Sequence, residues 1–388
     1  MNKEEIRICL TGGSTGGHFF PLIFVAREIY KLAKKENLNV KIFYLGSKPF
    51  KEDILKEENI EVFIIPEIKL RKYLSFKNLI DLLKIPYVFI LVFYHLYRLM
   101  PNLIFSKGGP TSFLVVFVGW LLNIPIFIHE SDSLPGLSNK LSSYFAKKIF
   151  LAFEITKQYF PENKTLIIGQ PIDIEMIKEE PLLEDFQKLN LDPNRRIILI
   201  LGGSQGSKFL NDLIVKILPE LLNFSQVVHI VGEKNYNEFY FYAKGILLEK
   251  NPSKIKDYHV YPFLRNETLI ILMKMADLII SRAGSSTIFE IAALGKPSIL
   301  IPLDSNIAGY HQIINARIYD KFGAGKTLEG ENIKPHILLK VIQEILNNEE
   351  LKNKMKEQAL KFAKNDASLK IALEIINFIK QNYFIKNV

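Results

Sequence analysis

IRICLTGGSTGGH, residues 6–18, decides the fold. An apolar run, Ile6-Arg7-Ile8-Cys9-Leu10, leads straight into Thr11-Gly12-Gly13-Ser14-Thr15-Gly16-Gly17-His18, and an apolar helical pattern follows. Strand, glycine turn and helix start, in that order, open an α/β unit. The glycines let the backbone turn sharply and approach a ligand, while the helix start offers free N–H groups and a positive dipole end to an anion. The arrangement recurs about halfway along the chain, as Ile197-Ile198-Leu199-Ile200-Leu201, then Gly202-Gly203-Ser204-Gln205-Gly206, then another helix. Two such openings predict two α/β halves that clamp a phosphate-bearing ligand between them.

Working outward, short runs of Ile, Val, Leu and Phe alternate with longer helical patterns. Candidate strands in the first half are Ile6–Leu10, Val40–Leu45, Val62–Ile65, Leu103–Phe105, Ile126–Ile128 and Lys148–Leu151. Those in the second are Ile197–Leu201, Val227–Val231, His259–Tyr261, Leu278–Ile280 and Ser298–Ile301. Nearly continuous apolar strands belong to parallel sheets covered on both faces, and strand–helix alternation predicts a doubly wound α/β architecture. A break falls at Gly169-Gln170-Pro171, before an acidic stretch from Glu175 to Asp185. The expected domains are therefore 1–170 and 171–371, with Lys-rich helical sequence closing the chain.

Composition narrows the function. The chain of 388 residues is 48% hydrophobic, enough for two sizeable cores. Its single cysteine, Cys9, excludes disulfides within the chain and Cys-rich metal sites, and favours a reducing compartment. The charged start Met1-Asn2-Lys3-Glu4-Glu5 does not read as a signal peptide. A net charge of +9 suits an anionic membrane or an anionic substrate; no zinc-finger, RNA-recognition or helix-turn-helix pattern points to nucleic acid. Ile85–Met100 is the most lipid-like stretch, but it contains His95 and Arg98 and falls short of the ~20 residues a spanning helix needs. It reads as a buried or partly interfacial helix.

The first loop is neither a dinucleotide fingerprint nor a P-loop, since its order is Gly12-Gly13-x-x-Gly16-Gly17 and no Gly-Lys-Ser/Thr follows. His18 stands at the loop–helix junction and can accept a proton from an attacking hydroxyl; the plainer alternative is a hydrogen bond that fixes the loop. Ser204 and Gln205 suit phosphate or uracil contacts. Ser285-Ser286-Thr287 open a helix after Arg282-Ala283-Gly284, an anion site by the same helix-start logic, and Glu290 lies a turn further in. Its carboxylate can accept hydrogen bonds from a ribose; a capping or solvent-facing glutamate is the alternative. Gln312 can donate and accept to sugar hydroxyls. His129-Glu130-Ser131-Asp132 directly follows a predicted strand, where functional residues of such sheets gather.

Taken together, Gly-Gly-x-x-Gly-Gly-His-x-x-Pro, His-Glu-…-Pro-Gly-Leu-x-Asn-Lys, Gly-Gly-Ser-Gln-Gly and Arg-x-Gly-x-x-Thr-x-x-Glu resemble, in order, the motifs of the MurG family of glycosyltransferases, from Thr11 to about Ala316. The resemblance implies a GT-B fold, two Rossmann-like domains facing across a cleft, and inverting transfer of N-acetylglucosamine from UDP-N-acetylglucosamine to lipid I, forming lipid II for peptidoglycan. It implies an N-terminal acceptor and membrane-facing domain, a C-terminal donor domain, and a last helix, about 372–388, that packs back on the first domain. It implies no metal and no other cofactor. Carried over by position, His18 is the proposed base, with Glu130 second. Thr15, Gly16, Gly17, Asp132, Ser204, Leu264, Ser285, Ser286, Thr287, Glu290 and Gln312 face the donor, while Gly13, Ser14, Gly108 and Gly109 form loops for the acceptor diphosphate. The chain departs from the family at Asp132, where Asn is frequent, at Asp173, where Arg is frequent, and at Pro110, where an aromatic is frequent.

Lys69–Lys84 interleaves Leu74, Phe76, Leu79, Leu82 and Leu83 with Lys69, Arg71, Lys72, Lys77 and Lys84, a pattern suited to anionic lipid, with Trp120 as a further interfacial anchor. An ordinary amphipathic helix is the alternative. The reading thus places the chain as a peripheral protein on the cytoplasmic membrane face. Another GT-B enzyme acting on a different lipid, a UDP-sugar epimerase and a non-catalytic nucleotide-sugar-binding regulator remain rivals.

Overall fold

The computed structural model describes residues 5–13, 15–68, 76–203, 206–303 and 310–384, with the side chains of 76–82, 176 and 383–384 outside that description. The described chain divides into two compact units: residues up to Ile172 together with those from Asn365 onward, and Asp173–Lys364.

In the first unit the strands are β1 (Ile6–Thr11), β2 (Val40–Gly46), β3 (Glu61–Ile64), β4 (Leu103–Ser106), β5 (Ile126–Glu130), β6 (Lys148–Leu151) and β7 (Thr165–Ile167). They form one parallel sheet in the order β3-β2-β1-β4-β5-β6-β7. Alternation along β1 fills both faces. Ile6, Ile8 and Leu10 pack with Leu22, Val25 and Ile29 of helix Gly16–Glu36 and with Ile371, Ile375 and Ile379 of helix Ala367–Ile379. Cys9, on the opposite face, joins Val88, Val92 and Leu96 of helix Phe76–Leu99 and Val115 and Val118 of helix Pro110–Leu121. Burial pushes the Cys9 thiol far up, so it behaves as a small apolar side chain.

The second unit repeats the plan. Its strands are β8 (Ile197–Leu201), β9 (Gln226–Ile230), β10 (Tyr258–Tyr261), β11 (Leu278–Ser281), β12 (Ser298–Leu300) and β13 (Lys326–Thr327), in a parallel sheet ordered β10-β9-β8-β11-β12-β13. β8, IILIL, is buried along its whole length: Ile198 and Ile200 face one core, and Ile197, Leu199 and Leu201 face the other.

Both orders contain the Rossmann sequence 3-2-1-4-5-6, in which the winding reverses beside the first strand. The reversals fall between β1 and β4 and between β8 and β11. Every strand expected from the sequence is present, and β7 and β13 are additions. Both additions are edge strands, of three and two residues, too short to leave an apolar run. Asn139 occupies the space a side chain on Gly108 would need, 2.7 Å from the Cβ position, and Gly108 takes a φ of +84° there.

Candidate functional site

Each reversal carries two glycine loops, one at the C-terminal end of each flanking strand. In the first unit, the loop after β1 and the loop after β4 lie against each other: a Cβ on Gly109 would sit 3.4 Å from Gly13 Cα. The Tyr44 hydroxyl donates to the Gly12 carbonyl at 3.2 Å and fixes the first loop from below. Two helices start here, Gly16–Glu36 after Thr15 and Pro110–Leu121 after Gly109, and neither has a side-chain cap on its first N–H groups. Uncapped helix starts on neighbouring strands form a place for an anion. Pro110 is tolerated because the first helical position has no intrahelical use for an N–H. Ser14 lies outside the described residues.

His18 sits at the start of the first helix, and its Nδ1 lies 2.8 Å from the Lys107 carbonyl. A carbonyl can only accept, so Nδ1 carries the hydrogen and Nε2 keeps its lone pair. Burial, followed by the Lys107 charge, lowers the His18 pKa from its ordinary value and keeps the ring neutral.

Glu130, at the end of β5, is buried and acts locally as a hub. Its carboxylate accepts from the Asp132 N–H at 3.0 Å, the Gly136 N–H at 3.0 Å and Asn139 Nδ2 at 2.9 Å. Those bonds shape the turn that carries Asp132, whose carbonyl accepts from Thr156 at 3.1 Å. Beneath them, Lys107 Nζ contacts His129 Nδ1 at 2.6 Å, Ser131 Oγ, and Gln170 Oε1 at 3.5 Å.

In the second unit, Gly206 takes a φ of +74° and passes so close to β9 that a Cβ would lie 2.3 Å from the Val231 carbonyl. Ser207 caps helix Lys208–Val215 by accepting the Leu210 N–H at 3.3 Å. Helix Ser285–Ala293 follows Gly284, which has no side chain to cap with, so its start is a place for an anion on the same grounds. Glu290 on that helix is partly buried, and among the described residues its carboxylate has no hydrogen-bond or ion-pair partner; burial pushes it up to about 7. Gln312 is the second residue of helix His311–Lys321, and its Oε1 accepts the Leu303 N–H at 3.1 Å, so its NH₂ is the end that can donate. Leu264, partly buried, follows the end of β10. Ser204 lies outside the described residues.

The structure therefore gathers Gly13, Thr15, Gly16, Gly17, His18, Gly108, Gly109, Glu130 and Asp132 around the first reversal. Ser285, Ser286, Thr287, Glu290 and Gln312 gather around the second. Of the residues expected to face lipid, Lys72 and Leu74 lie outside the described residues, and so do the side chains of Phe76, Lys77 and Leu79. Trp120 is described and exposed, 5.0 Å from Phe145 and 5.9 Å from Phe117 between ring centres.

The motifs leave out Lys107, and they contain Asn139 and Arg282, as the domain break contains Gln170, without assigning these residues a role. Arg282 follows β11 and is buried, with its guanidinium 5.8 Å from the Phe209 ring centre and donating to the Ile301 and Pro302 carbonyls at 2.9 and 3.2 Å. Its Nε has no partner among the described residues, and burial lowers its pKa to about 10. A charged residue directly after a strand end was the available signal for both Lys107 and Arg282. Among the described residues no cluster of His, Cys, Asp and Glu could hold a metal ion.

Residues 8–151 match the glycosyltransferase family 28 N-terminal domain, and residues 197–370 match the family 28 C-terminal domain. The chain belongs to glycosyltransferase family 28. A Treponema denticola relative, named UDP-N-acetylglucosamine–N-acetylmuramyl-(pentapeptide) pyrophosphoryl-undecaprenol N-acetylglucosamine transferase, is 33% identical, with 98% of each chain covered. A Clostridium tetani protein of the same name is 32% identical over 98% of this chain and 99% of its own. Among solved structures, Acinetobacter baumannii MurG superposes with a TM-score of 0.69 at 22% identity, covering 96% of this chain and 99% of that one. A Neisseria meningitidis UDP-GlcNAc 2-epimerase, solved with UDP-GlcNAc bound, gives 0.65 at 14% identity, with 96% and 100% covered. The last two likenesses show the fold, two Rossmann-like domains of the GT-B class; the family 28 enzyme is a glycosyltransferase.

Proposed function

We infer that the chain transfers N-acetylglucosamine from UDP-N-acetylglucosamine to the N-acetylmuramyl sugar of lipid I, an undecaprenyl diphosphate, forming lipid II. The observation that carries this reading is the match, over 98% of both chains, to a relative named for that transfer. The residues around the two reversals supply the chemistry. The second unit, 173–364, takes the donor: the helix-start amides at Ser285–Thr287 receive the diphosphate, Glu290 accepts from the ribose hydroxyls, and the Gln312 amide donates to the sugar. The first unit takes the acceptor: the helix starts behind Gly13 and Gly109 receive the lipid diphosphate, and His18 Nε2 receives the proton.

In one displacement, the acceptor hydroxyl oxygen forms its bond to the anomeric carbon as the bond from that carbon to the UDP oxygen breaks, which inverts the centre. The electron pair leaves on UDP, where helix amides meet the growing charge without reorganising. The hydroxyl proton goes to His18. Glu130, with three donors on its carboxylate, serves by shaping the loop beside His18.

For the acceptor, the first unit carries a lipid-facing surface. Helix Phe76–Leu99 buries Val88, Val92 and Leu96 and exposes Leu83, Tyr87, Ile90, Tyr94 and Tyr97. Among the described residues no helix is long and apolar enough to cross a membrane. An exposed row of Leu, Ile and Tyr, with Trp120 exposed on helix Pro110–Leu121, supports peripheral attachment to the cytoplasmic membrane face.

Incubation with UDP-N-acetylglucosamine, with and without a lipid I analogue, tests the reading. UDP released only with the acceptor supports it. Epimerised sugar formed without acceptor overturns it.

A further inference from the structure

Lys107 follows β4 with 1% of its surface exposed, and proton transfer to His18 makes no direct use of its ammonium. The hydrogens around it can be assigned by elimination. His129 Nε2 lies 2.8 Å from the Gly169 carbonyl, which only accepts, so Nε2 carries the hydrogen. His129 Nδ1 is then an acceptor and takes a hydrogen from Lys107 Nζ at 2.6 Å. Ser131 Oγ and Gln170 Oε1 receive the other two. The three hydrogens of an ammonium thus meet three acceptors drawn from β5, the turn after it, and the turn after β7.

The backbone of the same residue is held as firmly. The Lys107 N–H donates to the Thr11 carbonyl at 2.9 Å, and the Lys107 carbonyl receives the His18 Nδ1 hydrogen at 2.8 Å. Gly12 lies alongside, its Cβ position 3.5 Å from Lys107 Cβ. One residue therefore joins the buried polar cluster to the orientation of the imidazole.

We propose that Lys107 is a positioning residue for His18: its ammonium, anchored on His129, Ser131 and Gln170, fixes the carbonyl that holds the imidazole in the Nδ1–H tautomer with Nε2 bare. The proposal rests on the reading of His18 as proton acceptor. The ammonium also opposes a second proton on His18. The charged and titratable groups facing this pair are His129, Glu130 and Asp132; of these, Asp132 acts on His18 in the opposite sense. Burial pulls Lys107 itself down to about 7, with Glu130 and Asp132 resisting.

The test is ¹⁵N NMR of the full chain with labelled histidines, His18 being assigned by its loss in His18→Gln, combined with pH–rate profiles. In the wild type, His18 shows the Nδ1–H tautomer. Lys107→Met removes the charge at similar length. It lowers kcat roughly tenfold to a hundredfold, as a misplaced catalytic group does, leaves the donor KM within about twofold, and moves the acid limb of kcat, measured at saturating donor so that Glu290 is already deprotonated, to higher pH, because imidazolium forms more easily without the cation. An acid limb that stays in place while kcat falls overturns the proposal. Where Lys107→Met does not fold, the wild-type spectrum decides: an Nε2–H tautomer overturns the proposal. Full turnover by His18→Ala sinks the base assignment, and the positioning role with it. An Nε2–H tautomer in an enzyme whose His18→Ala variant is slow sinks the Lys107 proposal alone.

Discussion

With Glu290 placed on the donor ribose as proposed, donor binding depends on pH. The carboxyl has no partner among the described residues and is held at about 7 by burial. Only the carboxylate can accept from both ribose hydroxyls, so donor binding selects the deprotonated form. The apparent Kd is the intrinsic Kd divided by the competent fraction. That fraction is roughly 9% at about pH 6 and roughly 91% at about pH 8 for a group titrating near 7, so affinity rises about tenfold across the interval. The direction follows from the raised pKa: the proton that must leave is bound more tightly than in an ordinary glutamate, and binding therefore releases it. Calorimetry with UDP-N-acetylglucosamine reads both effects, as a Kd that falls with pH and as proton release that depends on the buffer. The intact donor is the right probe, because its diphosphate is esterified at both ends, whereas a terminal phosphate titrates near about 6. Glu290→Gln removes the charge. It weakens binding by about 1.5–3 kcal/mol, the worth of a hydrogen bond to a charged group, or roughly 10- to 150-fold. It also flattens the profile. A glutamine variant that binds within threefold of wild type, together with a flat wild-type profile, refutes the ribose assignment.

Other outcomes follow from the same geometry. His18→Ala slows turnover by ~10²–10⁴-fold while donor Kd changes less than about twofold, read by steady-state kinetics and calorimetry; wild-type turnover removes His18 as base. Gly206→Ala places a Cβ 2.3 Å from the Val231 carbonyl at a φ of +74° and lowers stability by more than the ~1–3 kcal/mol of left-handed strain alone, seen in denaturant unfolding. Glu130→Gln puts an NH₂ against N–H donors and leaves buried groups unpaired, at a cost of about 1–3 kcal/mol in the same assay, and an unchanged midpoint would show that the hub is dispensable. Trp120→Glu reduces recovery on anionic liposomes in flotation, and equal recovery of both proteins removes Trp120 from the lipid-facing surface.

How much of this was legible depends on how local each feature is. β1 and β8 show because both faces are buried, which writes continuous apolar runs into the chain. The glycine loops show because sharp turns and close backbone approach demand a residue type; at Gly206 both demands fall together. β7 and β13 leave no trace, because two or three residues on a sheet edge pack too little apolar surface to impose a pattern. Glu290 was readable as a candidate from its place in the helix, but its lack of a partner was not, since that depends on what the rest of the unit leaves beside it. The cluster under His18 was the least legible part. Lys107, His129 and Gln170 are separated by whole strands and helices; the parallel sheet brings Lys107 to His129 by placing β4 beside β5, and the turn after β7 adds Gln170. No spacing in the sequence encodes such a neighbourhood.

The two reversals reuse one backbone device for opposite electrostatic tasks. On the proposed assignment the second unit receives a dianionic group and then a growing negative charge, and the fixed dipoles of the helix amides at Ser285–Thr287 suffice for that. None of these needs to change protonation during transfer. In the first unit, on the same assignment, a proton has to move, and a bare glycine loop offers no group that can take it. The titratable cluster stands there: His18 with one nitrogen committed to a carbonyl, and Lys107 satisfied on three sides beneath it. A histidine with both nitrogens exposed could present either tautomer, and an imidazolium could not act as base at all. Burial and a neighbouring cation both work against the imidazolium, while the carbonyl works against the wrong tautomer. The same cluster placed behind the donor loop would gain nothing, since the departing diphosphate needs charge stabilisation and no base. On this assignment Glu290 titrates when the donor binds and not during transfer, so the group that takes a proton in the displacement stands in the first unit and the charge stabilisation in the second.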